Sequence, residues 1–423
     1  MKIDLAYGEH GLVIDLPADR STVIRPAHRQ AAPDERAAVL AALREPLSGA
    51  PLRQVVRSGQ TVAISICDGT RAQPRHIVIP AILAELADIV RLEDVVLLIA
   101  TGTHRGNSDE ELRRMLGDDV VDTVHVVNHD ARDASSLVWM GTHGNAVPVW
   151  LNRLWVEADV KITTGFVEPH FFAGFSGGPK MVAPGLAGLE TTLTLHNAAR
   201  IGHPDARWGI IEGNPVHDDV RAIATATGTD FTLDVIIDRE QRIVQAFGGE
   251  LFTAHRAACA AARETAMCPV PVRFDVVVTT NSGFPLDQSL YQAVKGISAA
   301  AEVVKPGGLI VCAAECRDGF PDHGSYRSEL IAAASPRALL ETIAARTETV
   351  PDQWQTQILA MVQCVARVVM HTSFLSDAEL AEAHIEQTGD IEATVEDALD
   401  AAGPEARVCV LPEGPQTIPY LVS

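Results

Sequence analysis

The chain has 423 residues, and at about 150 residues per domain that length predicts two or three domains. Hydrophobic residues make up 47% and charged residues 21%, so a large core is available and global disorder is excluded. Acidic residues number 55 against 34 basic ones, a formal net charge of -21 that argues against a nucleic-acid or anionic-membrane partner. A small anionic substrate remains compatible, provided basic residues gather locally against the global field.

The N-terminus, MKIDLAYGEHGLVIDLP, is too acidic and broken for a signal peptide. It reads as two short strands around Gly8 to Gly11, followed by a Pro-containing connection and a helix from about Asp34 to Arg44. The longest apolar stretch, Ile77 to Val90, is interrupted by Pro80, Glu85 and Asp88, so no transmembrane helix follows from it. The seven cysteines, Cys67, Cys259, Cys268, Cys312, Cys316, Cys364 and Cys409, are odd in number and offer one C-x3-C pair without a matching second. That pattern predicts a reduced, cytoplasmic chain without a zinc framework.

From residue 61 a theme repeats: a β-branched run, a polar turn with glycine, then an amphipathic helix. TVAISIC (61–67) leads into DGTRAQP, and DVVLLIA (94–100) leads into TGTHRGN. The helix after the second turn opens on a capping box, Ser108 with Glu111. DVKITTG (159–165) leads into a long glycine-rich loop, DVVVTTN (275–281) into SGFPLD, and GLIVCAA (308–314) into ECRDGFPDHG. Near-continuous apolar strands alternating with helices predict parallel sheets covered on both faces.

The stretch Cys268-Pro269-Val270-Pro271-Val272 is the best linker candidate, because two prolines favour extended chain. The expected architecture is therefore α/β: two α/β domains with largely parallel sheets and an active-site cleft between them. The boundaries are 1–270 for the N-terminal domain, 271–405 for the C-terminal domain, and 406–423 for a tail strand that returns to one sheet or the other, with the N-terminal domain a candidate.

In open α/β sheets ligands bind beyond the C-terminal ends of the strands, which selects those turns. Asp68-Gly69-Thr70-Arg71 precedes a helix start marked by Pro74 and could bind phosphate or carboxylate, or be an ordinary turn. His104, in Thr101-Gly102-Thr103-His104, is either a proton-transfer group or one more satisfied surface histidine among 15. The loop EPHFFAGFSGGPK (168–180) mixes three glycines and three phenylalanines with His170 and Lys180. It is not a P-loop: five residues after Gly174 stands Pro179 rather than glycine, and Met181 follows the lysine. A lysine in an apolar, glycine-rich loop suits covalent or desolvated chemistry. Glu190 to Arg200 has a helical pattern, and His196 within it is a metal ligand or a buried polar residue. On the helix after residue 281, Tyr291, Gln292 and Lys295 share one face, where Lys295 could bind an anion or simply be solvated.

These elements together, in this order, resemble the nickel-pincer-nucleotide lactate racemase family. The most specific stretch is HFFAGFSGGPKMVAPG (170–185) followed by His196, joined by DGTR at 68–71, GTHR at 102–105 and YQAVKG at 291–296. The resemblance implies a racemase or epimerase of a 2-hydroxy acid, an isomerase. It implies a pyridinium-3,5-bisthiocarboxylic acid mononucleotide carrying nickel, attached covalently at Lys180, with His196 as the protein's nickel ligand. His104 and His170 then correspond to the paired acid/base residues. Asp68, Gly69, Thr70, Arg71, Gln292 and Lys295 correspond to cofactor contacts. Arg71, Tyr291, Lys295 and Trp354 correspond to substrate contacts. The implied route is hydride transfer to and from the cofactor through a 2-keto acid. Cofactor-synthesis enzymes are implied as partners in activation, and the substrate is a small anion.

Two departures concern the lining of the site. Pro179 stands before the lysine where the family pattern has glycine, and the His170-Phe171-Phe172 run has phenylalanine where tyrosine can occur. Both leave a larger hydroxy acid or a sugar acid open as substrate. Two other readings compete: a zinc-dependent hydrolase using His104, His170 and His196, and a non-catalytic cofactor-binding homologue.

Overall fold

The computed structural model describes residues 1–322 and 324–422. The chain forms two compact units. The first comprises His28–Leu195 and Asp205–Thr265; the second comprises Met1–Ala27, His196–Pro204 and the chain from Ala266 onward.

The first unit is built on a six-stranded sheet in the order Ile243–Gly249, Phe231–Ile237, Val160–Phe166, Val62–Cys67, Val95–Ala100, His125–Asn128. All neighbours are parallel except the first pair, which forms an antiparallel hairpin. Val62–Cys67 is buried along its whole length, as a central strand covered on both faces must be. On one face Ile64, Ile66, Leu97 and Ile162 pack with Leu43, Val78, Ile79 and Ile82 of helices Glu35–Arg44 and Arg75–Leu86. On the other, Ala63 and Leu98 pack with Trp155, Val182, Leu186, Leu195 and Ile223. Each such aliphatic side chain contributes roughly 1.5–3 kcal/mol when fully buried.

The second unit has its own six-stranded sheet, parallel throughout, in the order Glu386–Gln387, Arg367–His371, Val304–Ala313, Phe274–Thr280, Val408–Leu411, Ser21–Val23. One face packs Val276, Val278, Val311 and Val410 against Ile391, Val395 and Leu399 of helix Ile391–Ala402 and against Ile3, Leu5 and Ile14 of the N-terminal hairpin.

This division differs from the one expected at residue 270 in three respects. The first 27 residues belong to the second unit, because Ser21–Val23 hydrogen-bonds along Val408–Leu411. The tail strand Val408–Leu411 pairs with Phe274–Thr280 and so joins the second sheet, not the N-terminal one. Residues 196–204 also cluster with the second unit. The helix expected over Glu190 to Arg200 is split into Leu189–Leu195 and Ala198–Ile201. Asn197 causes the break: its side chain accepts from the Arg200 N–H and caps the second piece. His196 sits in the gap. The capping box at Ser108 and Glu111 is present, and all seven cysteines are unpaired. No helix among the described residues is long and apolar enough to cross a membrane.

Gly296, midway along helix Leu290–Ala301, lies directly on the Thr280 carbonyl, so an added Cβ would collide with backbone. We predict that Gly296→Ala lowers unfolding stability by about 1–3 kcal/mol, the usual cost of overpacking. A denaturant midpoint equal to the parent's would contradict this packing.

Candidate active site

The turns after the three central strands of the first sheet lie side by side at its C-terminal edge. Val62–Cys67 is hydrogen-bonded to Val95–Ala100 on one side and Val160–Phe166 on the other. Parallel pairing therefore delivers Asp68, His104 and the 168–180 loop to one edge.

There Asp68 Oδ2 lies 2.7 Å from His104 Nδ1. Asp68 is 3% exposed, whereas the His104 side chain is half-exposed. Burial works to raise the Asp68 carboxyl, but the His104 ring, the Arg71 guanidinium and the Thr70 hydroxyl outweigh it and hold it below the usual carboxylate range. An ionised Asp68 fixes the His104 proton on Nδ1 and leaves Nε2 as the proton acceptor. Thr70 Oγ1 donates to Asp68 Oδ1 at 2.7 Å, and the Gly69 N–H is taken by Asn107 Oδ1 at 3.3 Å. These two groups thus support the dyad from within the turn. The half-buried Arg71 has no hydrogen-bond or ion-pair partner for its guanidinium among the described residues. Gln73 braces the end of the strand, accepting from the Cys67 N–H and donating to Thr164 Oγ1, each at 3.0 Å.

His170 sits in a two-residue strand, Pro169–His170, paired with Gly174–Phe175. Its Nδ1 faces the Phe172 and Ala173 N–H groups at 3.5 and 3.3 Å. Accepting there places the proton of the neutral ring on Nε2. The Phe171 and Phe172 rings stand 4.9 and 4.5 Å from the imidazole. Lys180 follows on a short 3-10 turn, Gly178–Met181, half-buried, with its Nζ 5.9 Å from the Phe172 centroid. Gly177 and Gly178 adopt φ of 72° and 52°, and a Cβ on either would run into neighbouring atoms. The phenylalanines and glycines of this loop are thus packing requirements.

The second unit presents its own set. His196, 7% exposed, has its ring 4.6 Å from the Trp354 ring. Trp354 starts helix Gln353–Gln363, after Asp352 in a left-handed conformation with φ of 67°. That conformation is uncommon for a residue other than glycine, and it aims Asp352 Oδ1 at the Tyr291 hydroxyl, 3.0 Å away. Burial, reinforced by the Asp352 carboxylate, pushes the Tyr291 phenol well above its ordinary value, so it stays protonated. Lys295 Nζ donates to Gln292 Oε1 at 2.8 Å, as their spacing of three on one helix allows. The first unit therefore gathers Asp68, Gly69, Thr70, Arg71 and His104 and carries His170 and Lys180. The second gathers His196 with Trp354, and Gln292 with Lys295 and Tyr291.

Sequence reasoning missed the carboxylate role of Asp68, whose partner is 36 positions away. It also missed Asn214, His217, Asp234 and His255, which lie beneath the 170–180 loop. One signal existed: Asp234 is a lone carboxylate in the otherwise apolar run Phe231–Ile237.

Both family models of this fold match the chain: the lactate racemase N-terminal domain over residues 7–209 and the lactate racemase C-terminal domain over 270–418. The lactate racemase of Thermoanaerobacterium thermosaccharolyticum is 34% identical over 98% of each chain. That of Lactiplantibacillus plantarum is 33% identical over 95% of this chain and 98% of its own. The structure of the lactate racemase apoprotein from Thermoanaerobacterium thermosaccharolyticum superposes with a TM-score of 0.93, covering 99% of this chain and all of that one. These matches define the chain as a racemase, hence an isomerase. The chain belongs to the lactate racemase family.

Asp234 provides a pH test of the site's foundation. Burial raises its carboxyl from the usual 3.8 to about 7, against the opposing Gly178 N–H. The folded state therefore holds a proton that the unfolded chain releases near 3.8. Stability contributed by this group is complete below that value, falls as pH rises toward 7, and is lowest above it. At about 1.36 kcal/mol per pKa unit, Asp234→Asn should stabilise by a few kcal/mol at pH 8 and by almost nothing at pH 4. Thermal melts of the two proteins across pH 4–8 check this; parallel curves would contradict it.

Proposed function

We propose that the protein racemises or epimerises a 2-hydroxy acid of the lactate type, with a nickel-pincer nucleotide attached at Lys180. The observation that carries this reading is the Asp68–His104 dyad beside Arg71, on the same sheet edge as Lys180 and His170.

The residues fit such a group. Lys180 follows a loop whose glycines admit no side chain. Among the described residues no three His, Cys, Asp or Glu side chains converge as a metal-binding group. A metal whose other donors come from the cofactor needs one protein imidazole, and His196 is that residue in this reading. A zinc hydrolase would leave Lys180 and its glycine-rich loop without a role, so this reading is favoured over it. Lys180, His196, Gln292, Lys295 and the 68–71 turn would hold the cofactor. When bound, it supplies a hydride acceptor and donor.

The chain's own residues do the rest. Removing the α-proton of a hydroxy acid is hard, because a carboxylate already sits on that carbon. Oxidation to the 2-keto acid avoids a carbanion. His104 Nε2 accepts the hydroxyl proton of one enantiomer, while Asp68 stabilises the imidazolium that forms. His170 Nε2–H donates a proton when hydride returns to the other face. In the reverse direction the two histidines exchange roles. Arg71 beside the dyad offers a fork for the carboxylate, and Lys295, Tyr291 and Trp354 are the substrate contacts that the family resemblance implies.

We expect His104→Ala and His170→Ala each to lower kcat for racemising optically pure lactate by about 10²–10⁴-fold while the protein still folds. Polarimetry of cofactor-loaded protein measures this, and full activity in either variant would remove the two-base mechanism.

A further inference from the structure

Beneath the loop that carries His170 and Lys180 lie four buried polar side chains, each directed at the loop's backbone. Asn214 Nδ2 donates to the Phe172 carbonyl at 2.9 Å. The His217 ring bonds to the Ala173 backbone. His255 Nε2 meets the Ser176 carbonyl at 2.9 Å. Asp234 Oδ1 accepts from the Gly178 N–H at 3.2 Å. All four residues are at most 3% exposed. They come from three elements: helix Pro215–Thr227 with its cap Asn214, strand Phe231–Ile237, and helix Leu251–Ala266.

The arrangement is costly. Asp234 Oδ2 and His217 Nδ1 have no hydrogen-bond partner among the described residues. Leaving such an atom buried and unmade costs about 1–3 kcal/mol. The His217 and His255 rings stack 5.8 Å apart. Burial, with Lys180 and Arg221 adding to it, lowers His255 to about 4, so its ring is a neutral N–H donor at physiological pH. Burial and neighbouring cationic groups lower His217 to about 3. The fit is close: a Cβ on Gly178 would collide with the His255 ring. On the far side of Lys180, Ser65 Oγ donates to the Met181 carbonyl at 2.7 Å. The side chains supply partners for loop backbone groups that would otherwise be buried unpaired, and so fix where that backbone lies.

We propose that Asp234 and His255, with His217, are positioning residues for cofactor attachment, fixing the Ala173–Gly178 backbone so that Lys180 is presented for acylation. This inference rests on the reading of Lys180 as the cofactor-bearing lysine. The chemistry it serves joins the Lys180 Nζ electron pair to the carbonyl carbon of a thiocarboxylic acid. The new C–N bond forms as the C–O bond breaks. One hydrogen comes from Nζ and one from the thiol, water leaves, and a thioamide remains. No oxidant is required.

The test compares removal with conservative replacement in the full chain. Asp234→Leu and His255→Ala remove the backbone bonds; Asp234→Asn retains an acceptor and His255→Gln an N–H donor. Hydrogen exchange of the 174–181 peptide is read in the unloaded protein, and Lys180 adduct formation is read by mass after mixing with purified cofactor. We expect at least about tenfold faster exchange and tenfold slower adduct formation in the two removal variants, with both conservative variants near the parent. Parent-like exchange and loading in Asp234→Leu and His255→Ala would overturn the proposal. So would equal losses in Asp234→Asn and Asp234→Leu. If the parent itself gains no adduct while exchange responds as expected, the cofactor reading fails but the positioning of the loop stands.

Discussion

A buried segment with little regular secondary structure must find partners for its backbone N–H and C=O groups, and the stretch from His170 to Lys180 finds many of them in side chains. Asn214, His217, Asp234 and His255 reach up from three separate elements to meet it. The rest of the site follows from that constraint. Within the loop, two glycines at positive φ let the backbone turn, and His170 Nδ1 faces two amide groups of its own segment. With the loop fixed, His170 and Lys180 have defined places. The neighbouring strands then bring Asp68 and His104 together at 2.7 Å.

The two histidines are prepared differently. His104 is polarised by a buried, ionised carboxylate and keeps Nε2 open as an acceptor. His170 uses its Nδ1 lone pair on backbone N–H groups and keeps a proton on Nε2. A racemase needs an acid and a base that exchange roles with the substrate's configuration. Under the proposed mechanism, opposite resting tautomers would supply one of each before substrate arrives. Local charge also matters here. Although the chain carries -21 overall, the half-buried Arg71 guanidinium helps hold the Asp68 carboxyl below its usual range.

Much of this was readable from the sequence, and the physical reason is locality. Strand–turn–helix units advertise themselves through apolar runs ending at Cys67, Ala100 and Phe166, because each run and its turn are contiguous. The helix carrying Tyr291, Gln292 and Lys295 was legible from spacing alone. What was not legible depends on pairing across the chain. The Asp68–His104 bond spans 36 positions, and Asp234 reaches Gly178 across 56. The N-terminal strand joins the second sheet through a partner near residue 410, which no local pattern announces. The break at His196 came from a single capping asparagine inside an otherwise helical pattern. A lone aspartate in an apolar strand, read with more weight, would have pointed to the support beneath the Lys180 loop.

The central claim is that configuration is inverted by moving a hydride, with His104 and His170 handling only the hydroxyl proton. Lactate carrying deuterium on its second carbon tests this directly, with cofactor-loaded protein in ordinary water. The account predicts that the inverted product retains its deuterium at that carbon, because the hydride never becomes a solvent-exchangeable proton. Product that has lost its deuterium to solvent would show proton abstraction at carbon and contradict the mechanism.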